Sequence, residues 1–258
     1  MTSGPPITFL SPKGRRIVLD VRENCPSVTD PVRRMAAEDA VEGHAVVSDY
    51  RLPATVADTP AFEKKKSGRG MRMSLLLRPA VHAHNAVLVT ALATVALCRA
   101  LEAHTTHRYK IRWANEICRE NGRIMARVEA SCSLKPDGYL HYLILDVTAY
   151  LSDTEFPTRL SEIVSEVFDG IAQGTVGRIA YDFLRIFFPL YENLSYDRSF
   201  ITEYKERSAL DGHHAVLLRG EKKCRVLILG IDDDARLLVE TRKKEIVPVM
   251  SRAELILH

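Results

Sequence analysis

Tryptophan is almost missing from this chain: Trp113 is the one indole among 258 residues. Cysteine is scarce. Cys25, Cys98, Cys118, Cys132 and Cys224 form an odd set of five with no Cys-x-x-Cys spacing, so neither a zinc ribbon nor a redox dithiol is indicated. Reduced thiols in a cytoplasmic protein are the default expectation. Met1 to Pro12 has no basic start followed by an apolar run, so no secretory leader is expected. No internal repeat and no low-complexity tract occurs. Charge of either sign is absent from Val81 to Cys98. A membrane span takes about 20 predominantly apolar residues. This run is built on Ala and Thr, carries His82, His84 and Asn85, and is expected as a buried helix rather than a span.

Other features define a folded chain. Apolar residues make up 46%, enough for a sizeable core. The net charge of +3 and pI near 8.6 are too mildly basic to argue for nucleic acid. Arg16–Val21 reads as a buried strand. Pro31 suits the first helical position after an Asp30 cap, giving a helix over Val32–Ala40 that Gly43 ends. Strands are predicted at His44–Tyr50, Met71–Arg78 and Tyr139–Val147. Arg51–Lys66, with two prolines and the Lys64-Lys65-Lys66 run, reads as a long loop. Helical spacing recurs over Leu160–Phe168, Val176–Tyr191 and Phe200–Arg207. Beyond Gly212 the pattern becomes short strands at regular intervals, which suggests a small barrel. His82, His84, His104 and His107 flank the buried helix without acidic company at metal spacing, so no metal site is expected there.

The chain is organised around Tyr109-Lys110-Ile111-Arg112-Trp113-Ala114-Asn115-Glu116-Ile117. Apolar and basic residues alternate up to Trp113, the period of a half-buried strand. A turn follows, and Gly122 lets the chain return into a second strand, Arg123–Ala130. Arg112, Asn115 and Glu116 would lie together at the strand end, where a rigid backbone presents side chains to a cleft.

This nonapeptide resembles the Lys-Trp-Pro-Asn-Asp motif of biotin-protein ligases. Leu229-Gly230-Ile231-Asp232 to Leu238 is similar to that family's barrel hairpin, and the order of elements fits from about Ile17 onward. The resemblance implies an α+β fold: a mixed sheet backed by helices over residues 1–210, then an SH3-like barrel over 211–258. It also implies the family's chemistry. Biotin's carboxylate attacks the α-phosphate of ATP, with Mg²⁺, and the biotinyl-AMP formed is consumed by a lysine of a biotin carboxyl-carrier protein. There is no helix-turn-helix, so no repressor or nucleic-acid role is implied.

The departures lie where ligand would be touched. Family members fold a Gly-Arg-Gly-Arg-type loop over the adenylate, and Leu52–Ala61 has neither residue. Ser67-Gly68-Arg69-Gly70 looks like that loop but aligns with a later turn. Arg112 replaces the motif lysine, Ala114 the proline and Glu116 the aspartate; Trp113 and Asn115 are retained. Arg123 and Ala126 stand where the family has the lysine and glycine of a Lys-x-x-Gly-Ile-Leu strand. Asp146 falls in a Gly-x-Gly-x-Asn position, and Ser27 and Thr29 lie near a Ser-Thr-Asn turn. Catalytic candidates are therefore Arg112, Asn115 and Glu116. Candidate ligand contacts are Ser27, Thr29, Arg69, Gly70, Trp113, Arg123, Ala126 and Asp146. Three functions follow: a ligase relative with weak or lost adenylation; an active ligase with Arg112 and Arg69 as a phosphate clamp and Asn115 with Glu116 on Mg²⁺; or an interaction protein, such as a homodimer through sheet edges.

Overall fold

A computed structural model describes residues 5–23, 25–51, 69–151, 174–220, 222–249 and 251–257. Eight strands form one mixed sheet: β1 (Ile7–Leu10), β2 (Arg16–Arg22), β3 (His44–Arg51), β4 (Arg69–Leu77), β5 (Lys110–Arg112), β6 (Glu116–Cys118), β7 (Ile124–Leu134) and β8 (Leu140–Leu151). Their spatial order is β1-β2-β3-β4-β8-β7-β6-β5. β2 and β3 run parallel. A parallel pair needs a crossover, and α1 (Thr29–Ala37) supplies it. The remaining α-helices among the described residues are α2 (Ala86–Glu102), α3 (Gly174–Asn193) and α4 (Phe200–Glu206).

Alternation along β8 sorts the two faces of this sheet. Leu143, Leu145, Val147 and Ala149 enter the main core with α2 and α3. Ile144 points the other way, into a small cluster with Val32, Ala36, Val46 and Leu76 beneath α1. Further along that second face the strand positions turn polar: Ser74, Asp146 and Thr148. α2 is buried on nearly every side, which is why its sequence carries no charge before Arg99. By length and composition Ala83–Glu102 is apolar enough to cross a membrane, yet 67% of that window is buried inside the fold, as in a core helix.

The C-terminal strands β9 (His214–Arg219), β10 (Lys222–Ile231), β11 (Leu237–Thr241), β12 (Ile246–Val249) and β13 (Leu255–Leu257) form an antiparallel sheet in the order β12-β11-β10-β9-β13. A bulge between Ile228 and Gly230, with φ +146° at Gly230, breaks the β10–β11 register. Among the described residues β12 and β13 do not pair, so the expected SH3-like barrel is seen as an open five-stranded sheet. At four and three residues, these edge strands are short.

Several elements differ from expectation. α1 starts at Thr29, and Asp30 sits in its first turn rather than capping it; the Asp30 backbone N–H donates to the Ser27 hydroxyl at 3.1 Å. The expected hairpin is a three-stranded meander, because Glu116–Cys118 pairs with both β5 and β7. β1 has no counterpart among the predicted strands. The predicted Leu160–Phe168 helix lies outside the described residues, as do residues 52–66 of the predicted loop.

One ion-pair network fixes the central strands. Arg207 donates to Glu102 Oε1 at 2.7 Å and Oε2 at 2.9 Å, to Glu203 Oε1 at 2.8 Å and to the Tyr109 carbonyl at 2.9 Å. Glu102 Oε1 also accepts the Tyr109 N–H at 2.9 Å. The end of α2, the end of α4 and the entry to β5 are thus tied at one guanidinium. Burial opposes ionisation of Glu102 and Glu203, but their arginine hydrogen bonds outweigh it and hold both carboxyls below the ordinary glutamate value. Such a group adds stability above its unfolded pKa, about 4.3, and loses it as pH falls through the lower folded value. Arg207→Met is expected to lower stability at neutral pH by about 2–4 kcal/mol. It should also flatten the loss of stability below about pH 4. Urea melts at neutral pH and at about pH 3 check both outcomes.

Candidate functional site

The turn between β5 and β6 is held at each residue. Trp113 is 1% exposed, and its Nε1 donates to the Ala235 carbonyl of the second sheet at 2.8 Å. The Tyr204 hydroxyl of α4 donates to the Ala114 carbonyl at 2.5 Å. Asn115 Nδ2 donates to the Val128 carbonyl at 2.6 Å, and the Asn115 backbone carbonyl accepts the Val128 N–H at 3.0 Å. The Trp113–Ala114 peptide is cis. Trp113 is therefore a pillar between two sheets, and the side-chain amide of Asn115 braces β7. Neither has the free, cleft-facing side chain that the sequence suggested.

Arg112 and Glu116 do face a common surface. Strand partners run Arg22, Ser48, Arg72, Thr148, Arg127, Glu116, Arg112 in one unbroken row across β2, β3, β4, β8, β7, β6 and β5. Directly paired residues share a face. This is the face that carries α1, beyond the cluster under that helix. Glu116, 8% exposed, accepts from Arg127 Nη2 at 2.5 Å, and its Oε2 lies 3.8 Å from Arg112 Nε without a hydrogen bond. At the other end of the row Arg22 donates to Asp20 Oδ2 at 2.8 Å; that bond raises the Arg22 pKa.

The neighbouring row holds Ser74 and Asp146. Thr29, in the first turn of α1, donates to Asp146 Oδ1 at 2.8 Å and meets Ser74 Oγ at 2.9 Å. Ser74 also donates to Asp146 Oδ1. Two hydroxyls, rather than a cation, answer the Asp146 charge. On the other side of the arginine row, Gly70 lies in register between Tyr50 and Tyr150. Arg123, exposed, places its guanidinium 5.3 Å from the Tyr150 ring centre. Arg69 opens β4, but its side chain lies outside the described residues.

Thus Thr29, Gly70, Arg112, Glu116, Arg123 and Asp146 share a face, with Ser27 at the adjoining helix start. Ala126 does not. It is 1% exposed in the main core, because strand alternation turns it away from Arg127. Sequence reading missed Arg22, Ser48, Arg72, Ser74, Arg127 and Thr148. For Arg72, Ser74 and Thr148 the signal was there: polar residues at every second position of the otherwise apolar strands β4 and β8.

The chemistry of the face favours anions over metal. Arg72 is exposed and the Arg112 side chain is 30% exposed, so each can present a guanidinium edge to a carboxylate or phosphate. The expectation that Asn115 and Glu116 hold Mg²⁺ does not fit. A divalent cation at Glu116 would meet two guanidiniums. Among the described residues no group of three His, Cys, Asp or Glu has metal-binding geometry.

No family model matches the sequence. The bifunctional ligase/repressor BirA of Bacillus spizizenii is 23% identical over 231 residues, covering 84% of this chain and 67% of the relative. The apo structure of biotin protein ligase from Aquifex aeolicus superposes with a TM-score of 0.65 at 17% identity, covering 97% of this chain and 99% of that one. The Aquifex aeolicus enzyme in complex with biotin and ATP gives a TM-score of 0.64 at 17% identity, over 92% and 97%. A biotin protein ligase-like protein of unknown function from a Silicibacter species gives a TM-score of 0.64 at 16% identity, over 95% and 98%.

The Glu116–Arg127 pair predicts a measurable coupling. Arg127→Met should cost about 2–3 kcal/mol by leaving a buried carboxylate with only the longer Arg112 contact. Adding Glu116→Gln should return part of that loss. Equal, additive losses in a double-mutant cycle would show that the pair is not coupled.

Proposed function

We propose that this chain, a distant homologue of the biotin-protein ligases, binds biotin or a related carboxylic acid on the sheet face beside α1, with adenylating activity weak or lost. The observation that carries this reading is the internal pairing of the motif acid. Glu116 sits between Arg127 and Arg112, so the motif acid that would help hold a nucleotide's metal is committed to the fold. Charge development on phosphate in the adenylation step calls for preorganised cations and N–H donors. Arg112 and Arg72 supply guanidinium edges, but the glycine- and arginine-rich loop has no counterpart in the sequence of 52–61.

In the same reading the chain keeps the family's two-part plan. A ligase-like unit extends to about residue 210 and an SH3-like unit follows. The protein works in the cytoplasm, where a carboxyl-carrier protein would be the acceptor if transfer persists. ATP, when bound, supplies the activating phosphoryl chemistry. The residues of this chain bind and orient: Arg112 and Arg72 toward anionic oxygens, Thr29 and Ser74 by fixing Asp146, Tyr150 with Arg123 as a wall.

A second reading, an active ligase, is favoured by one observation: the Arg112 guanidinium is partly exposed and makes only a 3.8 Å contact to Glu116, so it is available as a phosphate clamp. Biotin-dependent ATP–pyrophosphate exchange separates the two. The expected result is no exchange above background, together with a saturable rise in melting temperature on adding biotin. Exchange at ordinary turnover that disappears in Arg112→Ala would overturn the first reading in favour of the second.

A further inference from the structure

The second sheet is electrically polarised. At one end of β10, Asp232, Asp233 and Asp234 are paired: Asp232 with Arg236 at 2.7 Å, Asp233 with Lys205 at 2.6 Å, and Asp234 with Arg236 at 3.0 Å and Arg198 at 3.6 Å. Lys205 and Arg198 belong to the main unit, so the acidic end is the docked end. The other end is basic. Val226 faces Thr241 and Lys222 faces Arg219 in register, which brings the β9–β10 and β11–β12 turns to the same end. Arg219, Lys222, Lys223, Arg225, Arg242 and Lys243 are all exposed there. Among the described residues none of these six has an ion pair; of the acids at this end, Glu240 is taken by Lys244 at 2.8 Å and Glu245 is exposed.

Two further features shape this end. A groove of about 610 Å³ runs beside it, with His214, Arg225, Thr241, Arg242 and Lys244 in its lining. Ile246, first residue of β12 and partner of Glu240, is 61% exposed at the same turn. An apolar contact ringed by charge is the composition of a protein interface. No Phe, Tyr or Trp lines the groove, so the large rings on which successive bases of a single strand stack are missing from it.

We infer that the basic end of the C-terminal sheet is a docking surface for an acidic face of a partner protein, with Ile246 as its apolar contact. This rests on charge complementarity and not on the chemistry of the main sheet face, so it stands whether or not acyl transfer survives. The surplus of cations at this end raises the encounter rate with an acidic surface and makes binding salt-dependent.

The test uses the full chain and a fluorescein-labelled peptide of about 20 residues carrying three glutamates and one leucine in each repeat, followed by anisotropy. A DNA duplex of about 20 base pairs and a single-stranded RNA of equal length are the comparators. The expected result is saturable peptide binding that weakens with salt. Lys222→Glu, Lys223→Glu, Arg242→Glu and Lys243→Glu combined should weaken it by about tenfold or more, since each exposed pair contributes little and four act together. All four side chains are exposed, and an unchanged melting temperature verifies the fold. Ile246→Ser should weaken binding by a few-fold. Tighter binding of either nucleic acid would overturn the inference in favour of phosphate recognition. Peptide binding that is absent, or indifferent to the four reversals, would also overturn it.

Discussion

The turn from Trp113 to Asn115 is held by three partners from three distant parts of the chain: Ala235 in the second sheet, Tyr204 in α4 and Val128 in β7. Each contact is a side chain of a buried or half-buried residue meeting a backbone carbonyl. Buried polar groups that lack partners are costly, so these bonds commit the surrounding elements to one arrangement. Arg207 makes the same commitment one step upstream, where β5 begins. Between them, the two sets of contacts place Arg112 and Glu116 at the end of an arginine row.

That row marks where the sheet can vary without touching its core. Away from the small cluster under α1, the second face of this mixed sheet is not part of the core and can change with little cost to folding. Here the core face keeps Val, Leu and Ala. The opposite face carries Arg, Ser, Thr and Glu with internal partners: Arg22 is paired with Asp20 and Arg127 with Glu116, and Asp146 accepts hydrogen bonds from two hydroxyls. A face arranged this way is stable without a ligand.

Much of the fold was legible in the sequence. Strands of seven residues or more declared themselves by alternation, and α3 by its aromatic stripe of Phe183, Phe187, Phe188 and Tyr191. β1 and β6, at four and three residues, are too short to show a period. The site was half legible. Position in a motif found Arg112 and Glu116, but which side each residue faces depends on cross-strand register. Register is a property of paired strands and not of any one segment. That is why a motif position alone does not show that Ala126 lies in the main core while Arg127, its immediate neighbour, lies on the opposite face. Nor does it show that the Trp113 indole bonds across to the second sheet.

The scarcity of tryptophan has an optical consequence. With nine tyrosines and one indole in the chain, emission excited at the red edge comes from Trp113 alone. That ring is 1% exposed and bonded across the seam between the sheets. The fold has thus installed its own reporter at the joint. Any event that loosens the C-terminal sheet would wet the indole and shift its emission to longer wavelength, with no label added and no change needed elsewhere in the molecule.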